Sequence, residues 1–183
     1  PIYYKTFMWP AGWWQLYERQ IRNAAGFGRV PNAPDPDAYD HVNAHCDVLV
    51  AGAGPAGLSA ALEAARTGAR VVLAEERHEL GGSLLSRPET IAGESATAWV
   101  ESMVRELESL PEIRLLTRTT LTGYYEHNFL LALERRTDHL GPGRGDGPRQ
   151  RLWRFRAKQV VLATGAIERP LVFCNNDRPG IML

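Results

Sequence analysis

The feature that most constrains this chain is a glycine-rich hexamer, GAGPAG at 52–57, which fits the pattern G-x-G-x-x-G. An apolar stretch, DVLVA at 47–51, precedes it, and a run of small residues, LSAALEAART at 58–67, follows it. A second apolar stretch, RVVLAE, covers 70–75. A strand, a glycine turn, a helix and a strand within about 30 residues predict a right-handed βαβ unit of the Rossmann type.

The residue types of the hexamer suit the phosphates of a dinucleotide. Gly52 permits a tight turn out of the strand, Gly54 lets a pyrophosphate approach the backbone, and Gly57 lets the helix pack closely. The first turn of the helix offers free N–H groups to phosphates and tolerates a proline. A tight turn without a ligand is the alternative, but the context favours a binding site formed by Gly52, Ala53, Gly54, Pro55, Ala56 and Gly57.

Acidic residues end the second apolar stretch. Glu75 lies 18 positions after Gly57, close to the interval of about 20 at which a carboxylate accepts hydrogen bonds from an adenosine ribose. Such a carboxylate repels a 2′-phosphate and so disfavours NADP. Glu76 is the neighbouring candidate, whereas Arg77 could tolerate a 2′-phosphate. The alternative for Glu75 is a solvated charge at a strand end.

Two further segments could flank a dinucleotide. The first is LGGSLL at 80–85, where Gly82, Ser83 and Leu84 could bring the backbone against the ligand a second time. The second ends the apolar run 159–164. Ligands of parallel sheets bind beyond the carboxyl ends of the strands, so Ala163, Thr164 and Gly165 are expected beside the hexamer. An ordinary loop and a strand-ending turn are the respective alternatives.

The rest of the pattern predicts an α/β fold with three layers, a central parallel sheet and a β-meander. Apolar spacing predicts a helix over 95–110 and a strand over 112–117, and the meander covers 119–125, 129–134 and 152–156. An aromatic-rich segment predicts a helix over 12–25, and prolines predict an extended linker over 31–45. We therefore expect an N-terminal helical arm and linker at 1–45 and a dinucleotide-binding domain at 46–183.

Composition argues against several function classes. The formal net charge is zero, which gives no electrostatic basis for binding nucleic acid. No apolar run reaches the roughly 18 residues of a membrane helix. The two cysteines form no C-x-x-C pair, and the five histidines show no metal-ligand spacing. We expect a cytoplasmic setting, no metal, and no general base or nucleophile within this sequence.

Several segments together resemble the two-dinucleotide flavoprotein superfamily and, more narrowly, the α subunit of heterotetrameric sarcosine oxidase. Since the chain starts at Pro1 without a methionine, we expect it to be part of a longer subunit. The segments that carry the resemblance are YYKTFMWP (3–10), HCDVLVAGAGPAGLSAA (45–61), GGSLL (81–85), VLATGAIERP (161–170), TGAIERPLVF (164–173) and NNDRPGIML (175–183).

The resemblance implies a subunit that binds NAD and works with β, γ and δ subunits, while FMN and FAD serve the chemistry of the holoenzyme. It implies oxidative demethylation of sarcosine, transfer of the carbon unit to tetrahydrofolate, and release of hydrogen peroxide. Gly52, Gly54 and Gly57 would hold the pyrophosphate and Glu75 the ribose. Residues 82–84 and 164–165 would flank the ligand, and the backbone of Leu121 would touch the adenine.

Two other functions stay open at this point. One is an FAD-dependent oxidoreductase that acts on opines or other amines, with FAD rather than NAD at the hexamer. The other is a binding module without a redox role. If the chain belongs to a sarcosine oxidase, by contrast, the sequence between 1 and 183 is expected to be inactive alone, because no residue set for amine oxidation is visible in it.

Overall fold

The computed structural model describes residues 9–10, 12–26, 28, 32–141, 147–166, 171–176 and 178–180. The chain divides into two compact units, Pro1–Pro36 and Asp37–Leu183. In the first unit, helix α1 (Trp14–Ala24) confirms the helix that the aromatic segment predicts, and it buries none of its residues. Parts of the resemblance segments, at 3–8, 167–170, 177 and 181–183, lie outside the described residues.

The second unit is built on a six-stranded mixed sheet formed by β1 (Tyr39–Ala51), β2 (Val71–Ala74), β5 (Ile113–Leu116), β6 (Thr119–Tyr125), β7 (Phe129–Arg135) and β8 (Gln150–Leu162). The order of the strands in the sheet is β5-β2-β1-β8-β7-β6. Strands β5, β2, β1 and β8 run parallel to one another, whereas β7 is antiparallel to both β6 and β8. A small hairpin is formed by β3 (Thr90–Ile91) and β4 (Glu94–Ser95).

Two helices cover one face of the parallel strands. They are α2 (Pro55–Arg66) and α3 (Ala96–Ser109). The side chain of Ser95 caps α3 by accepting a hydrogen bond from the amide of Ala98 at 3.2 Å, an interaction that typically stabilises a helix by about 1 kcal/mol. Among the described residues, no helix has the length and apolar character needed to cross a bilayer.

Alternation along the strands builds a core on each face of the parallel sheet. Val50 and Leu73 point toward α2 and α3, whereas their neighbours Leu49 and Val72 point to the opposite face. There they pack with meander residues that include Trp153 and Phe155, whose rings stack with centroids 5.4 Å apart. Helices, parallel strands and meander therefore form three layers, and the predicted α/β fold with a central parallel sheet and a β-meander is confirmed.

The extended linker predicted over 31–45 is wrong for residues 39–45, which form the first half of β1. This half pairs in parallel with β8, from Tyr39 opposite Gln150 to Cys46 opposite Ala157. Its outward positions are mostly polar and exposed, whereas Val42 and Ala44 pack inward. Because half of the segment is polar, it looks like a solvated linker in the sequence alone.

Two strands that the sequence predicts separately, 152–156 and 159–164, form the single strand β8. The first half of β8 belongs to the meander, where it pairs with β7, and the second half pairs only with β1 in the described part of the chain. The polar residues Lys158 and Gln159 separate the two apolar runs without ending the strand. One continuous strand thus joins the meander to the parallel layer.

Candidate dinucleotide site

The packing of the fold itself requires glycine at two of the three motif positions. Gly52 has φ +94°, and a Cβ atom there would collide with the carbonyl oxygen of Ala163. A Cβ atom at Gly57 would collide with the carbonyl oxygen of Gly52, so α2 packs directly on the turn. These glycines let the turn lie tightly between β1, α2 and the end of β8, as the sequence predicts.

The packing of the fold does not require glycine at position 54. It lies in extended backbone (φ −71°, ψ −175°) just before α2, and a Cβ atom there would meet no atom within 4 Å. No side chain of the described residues accepts a hydrogen bond from the first turn of α2, which begins with Pro55. A ligand could therefore approach the backbone at Gly54, and the positive end of the helix dipole at this point favours an anion.

Glu75 is tied to this turn by hydrogen bonds. The residue is 6% exposed. Its Oε2 accepts a hydrogen bond from the amide of Ala53 at 2.7 Å, and its Oε1 accepts one from the amide of Arg77 at 3.0 Å. An ionised carboxylate has about four acceptor positions, so capacity for a ligand hydroxyl remains beside these two bonds.

Glu76 and Arg77 differ from Glu75 in orientation. Both are exposed, and their backbone carbonyls accept hydrogen bonds from the Arg135 guanidinium at 3.3 Å and from the amide of Arg118 at 2.8 Å. Of the two candidate glutamates, Glu75 is the one whose carboxylate accepts a hydrogen bond from the hexamer. This geometry favours Glu75 over Glu76 as the acceptor, and the role of either glutamate toward a ribose stays a prediction.

The second glycine turn packs on the first. The amide of Gly81 donates to the carbonyl of Ala53 at 2.8 Å, and Gly82, with φ +58°, lies so close to Gly54 that a Cβ atom would be 2.8 Å from its Cα. The short 3-10 helix Gly82–Leu85 follows, with Ser83 exposed and Leu84 buried in the core beneath the helices. Leu84 is therefore available to a ligand only through its backbone.

The end of β8 closes the site from the other side. The amide of Ala163 donates to the carbonyl of Ala51 at 2.8 Å, which places Ala163 directly beside Gly52. Thr164 and Gly165 follow and are exposed, with Gly165 at φ +73°. The structure thus brings the hexamer, Glu75, the second glycine turn and the end of β8 to one edge of the sheet.

Leu121 is positioned less directly. Its side chain packs into the core between the parallel strands and the meander, and a β-bulge follows it in β6. The strand begins next to the site, since the amide of Thr119 donates to the carbonyl of Glu75 at 2.7 Å. The predicted backbone contact of Leu121 with an adenine stays a prediction.

Sequence reasoning missed Arg118 and Arg135, which hold the backbone that follows Glu75. Arg118 has φ +52° and joins β5 to β6, and its carbonyl accepts a hydrogen bond from the amide of Arg135. The sequence feature that could have pointed to these two residues is a cluster of arginines at strand ends. These two residues line a cleft of about 310 Å³ at the end of the meander, which contains no residue of the hexamer.

Comparison with known proteins finds relatives among oxidoreductases. A family model described as FAD dependent oxidoreductase matches residues 47–128. Over its full length the chain is 52% identical to the alpha subunit of sarcosine oxidase from Rhizobium meliloti. The resemblance to sarcosine oxidase alpha subunits is confirmed. The chain spans 18% of the length of that relative.

Two further similarities place the fold among oxidoreductases. One of the opine oxidase subunits of Rhizobium meliloti is 35% identical over 68% of this chain and 24% of its own length. The crystal structure of L-proline dehydrogenase from P. horikoshii superposes with a TM-score of 0.57 at 30% identity, covering 81% of this chain and 28% of that one. The chain therefore shares its α/β fold with part of L-proline dehydrogenase, and it corresponds to under a third of each of the two proteins.

Proposed function

We propose that this chain forms the NAD-binding part of the alpha subunit of a multi-subunit sarcosine oxidase, an oxidoreductase that acts on CH–NH bonds. The observation that carries the proposal is the turn at Gly54. A glycine that the fold itself does not require stands at the start of a helix, next to a buried carboxylate. Such an arrangement suits a ligand that has a pyrophosphate and a ribose close together.

The residues of this chain would bind and orient the ADP half of the ligand. The pyrophosphate would lie over Gly54, against the N–H groups that begin α2. Glu75 would accept hydrogen bonds from ribose hydroxyls, and the amides of Ala53 and Arg77 would hold its carboxylate in position for that purpose. The nicotinamide or flavin ring of a bound dinucleotide supplies the redox chemistry.

NAD is the proposed occupant, and FAD is the alternative. The resemblance to sarcosine oxidase alpha subunits implies NAD, whereas the matching family model is one of FAD dependent oxidoreductases. Both ligands share the ADP half that the hexamer and Glu75 would hold. The carboxylate of Glu75 disfavours a 2′-phosphate by charge repulsion, so we place NADP last.

The remaining activity would depend on other parts of the enzyme. We propose that β, γ and δ subunits complete a cytoplasmic holoenzyme in which FMN and FAD oxidise sarcosine and tetrahydrofolate accepts the carbon unit. Among the described residues we identify no group positioned for amine oxidation. The chain alone is accordingly proposed to be inactive.

An opine-type oxidoreductase is the second candidate. It is favoured by the similarity to the opine oxidase subunit, which is lower in identity and covers less of the chain than the similarity to sarcosine oxidase. Assays of the full enzyme with sarcosine and with an opine such as octopine, with hydrogen peroxide and dye reduction as readouts, would separate the two.

The substitution Gly54→Ala tests the site itself. Its backbone suits alanine, and the added methyl meets no atom of the fold, so the thermal stability should be unchanged or slightly higher. The same methyl would occupy the space into which a pyrophosphate must come. Calorimetric titration with NAD and FAD should show affinity weaker by about tenfold or more, equivalent to about 1.4 kcal/mol.

Gly147→Ala is the matched control, because it adds a methyl at an exposed glycine far from the turn in sequence, where the nearest atom is 4.0 Å away. Stability and affinity should both stay at the wild-type level in this variant. Equal dinucleotide affinity of the Gly54→Ala variant and the wild type would show that no pyrophosphate approaches this turn.

A further inference from the structure

One face of the meander points away from both cores. In β7, Leu130, Ala132 and Glu134 are buried, so the residues between them point outward and are only half-buried. Cross-strand neighbours on β8 extend the same surface. We call it the meander outer face and define it by Phe129, Leu131, Leu133, Leu152, Arg154 and Arg156.

The outer face is cationic without compensating carboxylates. The guanidinium of Arg154 lies 3.0 Å from Nδ1 of His41, and that of Arg156 lies 4.5 Å from the centroid of the Phe129 ring. Neither has a carboxylate within 4.0 Å among the described residues. No aspartate or glutamate occupies an outward position of β6, β7, β8 or the first half of β1.

Two nearby arginines behave differently. Arg151, on the inward side of β8, pairs with Asp40 at 2.6 Å, and Arg136, which directly follows β7, pairs with Glu134 at 2.9 Å. The chain therefore supplies carboxylates to these arginines and none to Arg154 and Arg156. Because the formal net charge of the chain is zero, the positive charge of the outer face is a local feature of this surface.

We propose that the meander outer face docks a partner subunit through a surface that carries carboxylates among apolar side chains. This inference rests on the proposed function as part of a multi-subunit enzyme. Half-exposed leucines and a phenylalanine would supply apolar contact, and Arg154 and Arg156 would meet the carboxylates. Arginine and aromatic residues are enriched among those that dominate binding energy at interfaces.

A second copy of this chain is a poorer occupant. A two-fold contact through this face would bring the arginines of both copies together, because a two-fold interface places the same patch on both sides. Like charges in an interface oppose association by several kcal/mol. Charge complementarity thus selects a different, acidic polypeptide.

The first test is charge reversal in the full-length subunit, coexpressed with the other subunits of its enzyme. The double variant Arg154→Glu/Arg156→Glu should assemble with affinity weaker by about tenfold or more, measured by sedimentation velocity and light scattering. Wild-type assembly should also weaken as salt rises, because the contacts are ionic. Arg105→Glu, at an exposed arginine of α3 on the helix layer, is the matched control and should assemble normally.

The second test locates the contact without removing the charge. In Arg154→Lys the substituted amine can be coupled to a neighbouring carboxylate by a carbodiimide, a reagent that adds no spacer. Mass spectrometry of the assembled enzyme should find a cross-link to an aspartate or glutamate of another subunit. Arg105→Lys should give none to another subunit.

Normal assembly of the charge-reversal variant would overturn the proposal, and so would cross-links found only to this chain or to a second copy of it. Failure of the proposed function would look different. In that case the wild-type complex would form but would bind no NAD or FAD and would not oxidise sarcosine, whereas the assembly of the arginine variants would still report on the outer face.

Discussion

We predict that Glu75 stabilises the fold as well as a bound ligand. The variant Glu75→Ala should therefore lose much more stability than the variant Glu76→Ala. The buried carboxylate accepts two backbone hydrogen bonds, from Ala53 at 2.7 Å and from Arg77 at 3.0 Å. Alanine removes both acceptors and leaves the two amides without a partner at this position. Glu76 is exposed, so Glu76→Ala removes one solvated charge.

The magnitude follows from the two bonds. A hydrogen bond to a charged group contributes about 1.5–3 kcal/mol to stability, so the lower end of this range gives a loss of about 3 kcal/mol for Glu75→Ala. In a chain of this size each kcal/mol corresponds to about 2–4 °C in the unfolding temperature. We therefore expect the midpoint of thermal unfolding to fall by about 6–12 °C in Glu75→Ala and by less than about 2 °C in Glu76→Ala.

The assay is differential scanning calorimetry of the two variants and the wild type without ligand, repeated with saturating NAD and with saturating FAD. Loss of a ribose acceptor should also weaken dinucleotide binding by about 1–3 kcal/mol in Glu75→Ala. Glu75→Gln keeps the size of the side chain and should fall between the two alanine variants in stability. Equal midpoints for Glu75→Ala and Glu76→Ala would refute the assignment of the two hydrogen bonds.

Three further predictions concern thiols, acid and activity. Burial, with a smaller contribution from Asp47, raises the pKa of the Cys46 thiol to about 11. Ellman's reagent at pH 8 should therefore modify exposed Cys174 and spare Cys46 until the chain is unfolded. The stability gained from the neutral thiol should be lost as pH rises toward 11. Two native thiols reacting equally fast would contradict this. Hydrogen bonds from Arg70 and, to a smaller extent, from Lys158 hold the pKa of Asp47 well below its usual range. The stability advantage of the wild type over Asp47→Asn should therefore be present above about pH 4 and shrink as pH falls further. Urea titrations at several pH values would measure this advantage, and an advantage independent of pH would exclude the ion pairs as its cause. The purified chain, supplied with FAD, FMN and NAD but no other subunit, should release no peroxide from sarcosine, and steady turnover would reject the proposed division of labour.

The parts of the site that could be predicted are those encoded by local sequence. Gly52, Gly54 and Gly57 follow a fixed spacing in a strand-turn-helix context, so their placement needs no knowledge of the rest of the fold. Glu75 is also predictable as a position, because the length of the helix and strand places it at the edge of the sheet. Its two backbone partners are not, since one of them belongs to the hexamer, 22 residues away.

Other features depend on long-range pairing. Residues 39–45 look like a linker until β8 is placed beside them, because pairing and not composition makes them a strand. Arg118 and Arg135 reach the backbone after Glu75 only when the strand ends are brought together. The lack of carboxylates beside Arg154 and Arg156 can be recognised only once the structure shows that Arg151, on the inward side of β8, pairs with Asp40.

The pairing of β1 with β8 also determines when, during synthesis of the chain, the first strand can find its partner. Tyr39 and Gln150 are direct neighbours in the sheet, yet 111 residues separate them along the chain. At a synthesis rate of about 5–20 residues per second, β1 leaves the ribosome roughly 5–20 s before its partner exists. The first half of β1 therefore waits with an unpaired edge, and such edges promote aggregation. A nascent chain that ends before Gln150 lacks the strand that joins both layers, so the edge of β1 stays unpaired until β8 has been synthesised.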